Sequence, residues 1–136
     1  MTLKLDPSLD ALRPALAGVR STLAPSLTAE EWHAVELILM ETLTNIVRHA
    51  APRSPIALAL RTAPDGLFVT IEDDGLPMPG GAVPEGRLPV DEPTPATASE
   101  HGYGWFLIRA LARDIAYDRI GRRNRLTFRV GIGVPA

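Results

Sequence analysis

A chain of 136 residues and 14.7 kDa has room for one domain, taken here as 1–136, and its 46% apolar content and mean hydropathy of +0.07 supply a core rather than a disordered tail. Fourteen basic and 16 acidic side chains leave a net charge of −2, which excludes a generic polyanion binder, and the absence of cysteine excludes disulfides, thiolate metal sites and thiol nucleophiles. No apolar run approaches the ~20 residues of a membrane helix, and residues 1–7 carry no signal-peptide core, so the expectation is a cytoplasmic globular domain with no membrane contact.

Asp6-Pro7 reads as a helix start, a capping carboxylate followed by proline at the first helical position. Leu9, Leu12, Leu16, Val19 and Leu23 then form one apolar stripe, and Pro14 inside it predicts a later start or a kink. Thr28 and Glu31 form a capping box that opens the strongest helix of the chain, expected over 29–50 and stopped before Pro52. Trp32, Val35, Leu39, Leu43, Ile46 and Val47 give that helix its apolar face, while Glu41, Asn45 and His49 stack on another line at i, i+4 and i+8. Residues 56–61 and 67–72 alternate around Pro64-Asp65-Gly66, which reads as a β-hairpin running into Asp73-Asp74-Gly75.

Residues 76–101 show neither period, and a connection of that length suits a lid or binding loop. A helix is expected over 105–113 with Phe106, Leu107, Ala110 and Leu111 on one side, then strands over 115–120 and 125–134 around a turn at 121–124. The order is helix, helix, two strands, lid, helix, two strands. It predicts an α+β two-layer sandwich, a mixed or antiparallel sheet with helices on one face. Charge is segregated along this order. Residues 72–100 hold seven acids and one base, Arg87, whereas 101–136 hold seven arginines and two aspartates. The arginines at 119, 122, 123, 125 and 129 read as a solvated hairpin face or a charged docking surface; without interleaved aromatics they do not read as a nucleic-acid surface.

Three constellations have chemical potential. Asparagine is a poor helix former, yet Asn45 sits mid-helix beside Leu43 and Ile46. A carboxylate and an amide four residues apart, Glu41 and Asn45, can hold a hydrated Mg²⁺ and orient a hydroxyl for attack at a phosphate. The acid at the end of the hairpin, Asp73, can accept a hydrogen bond from an exocyclic amine, with Gly75 leaving space for a flat base. Gly102-Tyr103-Gly104 ahead of a helix can turn backbone N–H groups toward a phosphate. Each also has a plain structural reading: a solvated helix face, a strand-end turn and a loop–helix junction.

Their conjunction in this order is more specific. Glu41-x-x-x-Asn45-x-x-x-His49 resembles the N box of the GHKL (histidine-kinase-like) ATP-binding fold shared by histidine kinases, gyrase and heat-shock ATPases. Asp73-x-Gly75-x-Pro77 resembles its first glycine box, Gly102-x-Gly104 followed by Trp105-Phe106-Leu107-Ile108-Arg109 its second, and 124–128 its closing strand, with Asn124 where many relatives carry threonine. The short length and the Gly-x-Pro turn are most similar to the anti-sigma-factor serine/threonine kinases of bacterial partner-switching systems.

This resemblance implies ATP and Mg²⁺ as cofactors. Glu41 would be the catalytic carboxylate, Asn45 the metal ligand, and Arg48 and His49 would flank the phosphates; Asp73 would read the adenine amine above Gly75, and Gly102 and Gly104 would be the lid hinge and phosphate-facing turn. It further implies a homodimer that phosphorylates a STAS-type anti-anti-sigma protein and sequesters a sigma factor. A nucleotide-gated partner-binding module without transfer activity and a histidine-kinase catalytic domain are the alternative readings.

Overall fold

Period-2 alternation places one face of a sheet in the core. The computed structural model describes residues 1–85 and 103–132. Its elements are β1 (Thr2–Leu5), α1 (Leu9–Leu23), a 3₁₀ turn (Ala24–Ser26), α2 (Ala29–Asn45) continued by a π turn (Ile46–Ala50), β2 (Ile56–Ala63), β3 (Gly66–Asp73), a second 3₁₀ turn (Pro79–Gly81), α3 (Tyr103–Leu111), β4 (Arg113–Ile120) and β5 (Arg123–Val130). The five strands form one sheet in the order β1-β2-β3-β5-β4, and every neighbouring pair is antiparallel. The expected α+β two-layer architecture is present, with the antiparallel of the two predicted sheet types.

Ile56, Leu58 and Leu60 of β2, Leu67, Val69 and Ile71 of β3, and Leu126, Phe128 and Val130 of β5 are buried together with the helices' apolar stripes. Lys4, Arg61 and Arg125 on the opposite face of the sheet are exposed. Register on such a sheet is strongly specified, because a slip of one residue would turn the whole apolar set to water. None of the described helices is long and apolar enough to cross a membrane.

The capping box forms in full: Glu31 N–H donates to Thr28 Oγ1 at 3.1 Å and Thr28 N–H donates to Glu31 Oε1 at 2.9 Å. Elsewhere local structure departs from expectation. β1 was not foreseen. Its four residues pair with Ile56–Ala59 of β2, and so short an edge strand depends on that partner rather than on its own propensity. Helix α1 starts at Leu9 with Ser8 as N-cap, not at Asp6-Pro7, and runs through Pro14, whose exposed ring sits early in the helix. α2 holds α geometry only to Asn45; the last turn widens to a π turn closed by Ala51 N–H on Ile46 O at 3.1 Å, with Ala51 in the left-handed region at φ 49°.

Trp105, Ile108 and Ala112 are the buried positions at and just beyond α3, whereas Ala110 is exposed and Phe106, Leu107 and Leu111 are half-buried. The last hairpin turns on Gly121-Arg122, so Asn124 belongs to β5 and not to a turn. Residues 86–101 of the expected lid, together with Gly102, lie outside the described residues.

Candidate functional site

Where the end of α2 meets the C-terminal end of β3, a cavity of about 540 Å³ opens beside the core. Asn45, Ile46, His49 and Ala50 line it from the helix, Asp73 and 76–79 from the strand end, Asn124 and Leu126 from β5, Tyr117 from β4 and Trp105 from α3. Its wall is largely apolar, with a few polar side chains, the usual make-up of a small-molecule site. The two polar groups on which the sequence argument turns, the Asn45 amide and the Asp73 carboxylate, therefore face one space.

Asp73 is 2% exposed. Its Oδ1 accepts from Gly75 N–H at 2.8 Å and Asn124 Nδ2 at 3.0 Å, and no described group donates to Oδ2. Asn124 is fixed in turn: its Oδ1 accepts from the Tyr117 hydroxyl and from Arg119 Nη1 at 3.0 Å, and its Nδ2 also donates to Leu76 O at 2.8 Å. At the other end of the cavity, Asn45 Nδ2 is the one buried side-chain polar atom among the described residues with no hydrogen-bond partner. Leaving such a donor unpaired costs about 1–3 kcal/mol, so this NH₂ has room for an acceptor, a water or a ligand oxygen.

Beside the cavity, close backbone approach requires glycine at position 75, while glycine at 104 meets the end of a flexible side chain. A Cβ on Gly75 would strike the Ala50 carbonyl oxygen and come within 2.8 Å of Ala50 Cβ, while Leu76 N–H donates to that same carbonyl at 2.8 Å. The glycine thus seats the end of β3 on the π turn. It stands behind Asp73, outside the cavity wall, so its need is explained within the chain itself. Gly75→Ala is expected to lower stability by ~1–3 kcal/mol, read as an earlier denaturation midpoint; an unchanged midpoint would refute the contact. A Cβ on Gly104 would strike Glu41 Oε2 and lie 3.8 Å from Asn45 Nδ2, so glycine here lets the first turn of α3 sit against α2.

The neighbouring acid has a different task. Asp74 is held well below the usual carboxylate range, at about 2, chiefly because the Ser54 hydroxyl donates to it, and further because the Ser54 and Arg53 backbone N–H groups do. These bonds, at 2.7, 3.1 and 2.9 Å, tie the 52–55 loop to the end of β3. A depressed carboxylate contributes stability that is complete above its unfolded pKa and is lost as the pH falls through the folded one. Asp74→Ala is accordingly expected to unfold at lower urea than the parent at neutral pH, the gap closing between pH 3.8 and about 2. A gap that persists at the acid end would contradict the ionic origin of the tie.

Of the residues singled out from sequence, Asn45, His49 and Asp73 line the cavity, with Gly75 just behind it. Glu41 lies one helical turn before Asn45, packed on Gly104 rather than in the cavity wall. Arg48 is exposed and does not line the cavity. Gly102 is outside the described residues. Sequence reasoning gave no role to Tyr117, none to Asn124 beyond its place in the closing strand, and read Arg119 only as part of a solvated or docking hairpin face, whereas its Nη1 donates to Asn124 Oδ1 and Gly75 O.

The wall fits an aminopurine nucleotide at one end, where Asp73 Oδ2 is an open acceptor. Among the described residues no cluster of three or more histidine, cysteine or acidic side chains could hold a metal ion. Asn45 has an amide oxygen that could be offered to a hard cation carried mainly by phosphate and water.

The model of the histidine kinase-like ATPase domain matches residues 5–130. Among solved structures the chain is similar to the Acinetobacter baumannii histidine kinase AdeS, with a TM-score of 0.50 and 13% identity, over 98% of this chain and 68% of that one. At that identity the likeness is one of fold. No curated protein matches the sequence.

Proposed function

This chain belongs to the histidine kinase-like ATPase domain family, and from that premise we propose that it is an ATP-dependent serine/threonine protein kinase of a bacterial partner switch. It acts as a homodimeric anti-sigma factor and phosphorylates a STAS-type anti-anti-sigma protein. One observation carries the nucleotide part of the reading: Asn45, with its unpaired buried amide, and Asp73, with its open oxygen, line the same 540 Å³ cavity.

Within it, Asp73 Oδ2 accepts a hydrogen bond from the base, the apolar wall of Ile46, Met78 and Leu126 excludes water around it, and His49 stands on the helix side toward the phosphates. When bound, Mg²⁺ supplies charge neutralisation for phosphoryl transfer, and Asn45 is the residue that would ligate it. Glu41 takes the proton of the partner's serine or threonine hydroxyl as that oxygen bonds to the γ-phosphorus. The bond from γ-phosphorus to the β–γ bridging oxygen breaks, and ADP leaves.

One observation favours a second reading, a nucleotide-gated binding module without transfer activity: Glu41 packs on Gly104 and is absent from the cavity wall. Calorimetric titration of the full chain with ATP and ADP, with and without Mg²⁺, followed by label transfer from γ-labelled ATP to candidate anti-anti-sigma domains, tests both. Saturable binding that Mg²⁺ tightens, with label on a partner serine or threonine, is the expected result. Binding without label leaves the module. Absence of binding ends both.

A further inference from the structure

Resting on the reading of the cavity as an adenine-nucleotide site, we propose that Asn124, Tyr117 and Arg119 form a positioning clamp that sets its preference for a 6-aminopurine over a 6-oxopurine. Asn124 is 5% exposed and pairs across the β3–β5 ladder with Asp73. One end of its amide meets two donors, the Tyr117 hydroxyl and Arg119 Nη1; the other meets two acceptors, Asp73 Oδ1 and Leu76 O. Only one orientation satisfies all four. Turned over, the amide would set its NH₂ against two donors and its carbonyl against a carboxylate.

With the amide held, Asp73 Oδ1 is engaged twice, by Asn124 Nδ2 and Gly75 N–H, and the carboxylate cannot pivot. Tyr117 lines the cavity but has nothing left to give it, since its proton goes to Asn124 while the hydroxyl oxygen accepts Met78 N–H at 3.0 Å. Arg119 is also anchored on Gly75 O at 2.6 Å, which ties β4 to the turn that follows β3. This corner of the site therefore presents a single acceptor in a fixed place. A 6-aminopurine has its donor on the exocyclic nitrogen, whereas a 6-oxopurine has an acceptor there and its donor at N1, one ring position away. A freely turning carboxylate could follow the donor to either place; a clamped one serves only the first. Discrimination thus belongs to the clamp as much as to Asp73, and Tyr117 and Arg119 act on the base through Asn124.

ATP and ITP share their ribose and triphosphate and differ only in the group at C6 and the proton on N1, so their ratio of affinities reads the clamp directly. Calorimetry on the full chain is expected to give wild type a preference for ATP of ~10- to 100-fold, the worth of one hydrogen bond to a charged group. In Tyr117→Phe and Arg119→Met, and most in the double variant, the ratio should fall by ~5-fold or more through a gain in ITP binding. Arg119→Lys, which keeps a cationic donor, should retain most of it. Thermal midpoints of each variant separate loss of fold from loss of selectivity. Equal weakening of both nucleotides, with the ratio unchanged, would overturn the clamp and leave the nucleotide site standing. Equal affinity of wild type for ATP and ITP would do the same. If wild type binds neither nucleotide, the underlying reading of the cavity fails and takes the clamp with it.

Discussion

Asp73→Asn is expected to weaken ATP binding by ~100-fold while leaving the fold intact. The substitution preserves an Oδ1 that can accept from Gly75 N–H and Asn124 Nδ2, the two bonds that seat the side chain at the end of β3. At the cavity it exchanges an acceptor for an NH₂ group, so two donors face each other where the base amine would bind. Losing a hydrogen bond to a charged group costs about 1.5–3 kcal/mol, and the donor–donor repulsion adds to it. Titration beside a thermal melt decides the matter. An ATP affinity within a few-fold of the parent's would mean that the base is read elsewhere, while a fall in both affinity and melting temperature would mean that the carboxylate serves the fold first.

Glu41→Gln tests the chemistry rather than the binding. Glutamine keeps the length of the side chain and its packing on Gly104 but cannot accept a proton. Transfer to the partner is expected to slow by ~10²- to 10⁴-fold, the span attributed to a general base, with ATP affinity within ~3-fold of the parent's. Because Glu41 stands off the cavity wall, the result discriminates sharply. A variant that transfers phosphate at the parental rate would reassign Glu41 to the packing of α3 on α2 and favour another proton acceptor.

Much of the framework was readable before any coordinates. The Thr28–Glu31 capping box and the period-2 runs of β2, β3 and β5 are local devices, and each appears where its residues demand it. Local devices also misled. Asp6-Pro7 carries a stronger helix-start signal than Ser8, yet the chain from Thr2 to Leu5 is drawn into the sheet and the helix begins later. α1 nevertheless runs through Pro14, its sixth residue, without the hydrogen bond that an N–H there would make to Asp10 O. The face of α3 was misjudged because nine apolar-rich residues fit several stripes, and only packing against α2 selects Trp105 and Ile108.

The candidate site divides in the same way. Asn45 and Asp73 could be chosen from sequence because each is out of character locally, an amide inside an apolar helix and an acid where a strand ends. Nothing local marks Tyr117, Arg119 and Asn124, since a tyrosine, an arginine and an asparagine on an exposed hairpin are ordinary, and their meaning lies in partners up to 51 residues away. The π turn was likewise invisible, because an α-helical and a π-helical last turn place the same residues in nearly the same order.

By itself, then, the amino-acid order determined the longer helices and strands other than β1, the core faces of β2, β3 and β5, and which two polar groups were worth pairing, because these depend on periodicity and caps acting over a few residues. The tertiary structure alone decided that those two groups share a cavity, that the acid offers one fixed oxygen, and that Glu41 turns toward α3. Those outcomes depend on the register of β3 against β5 and on the seat of Gly75 over Ala50, contacts between residues far apart in the chain.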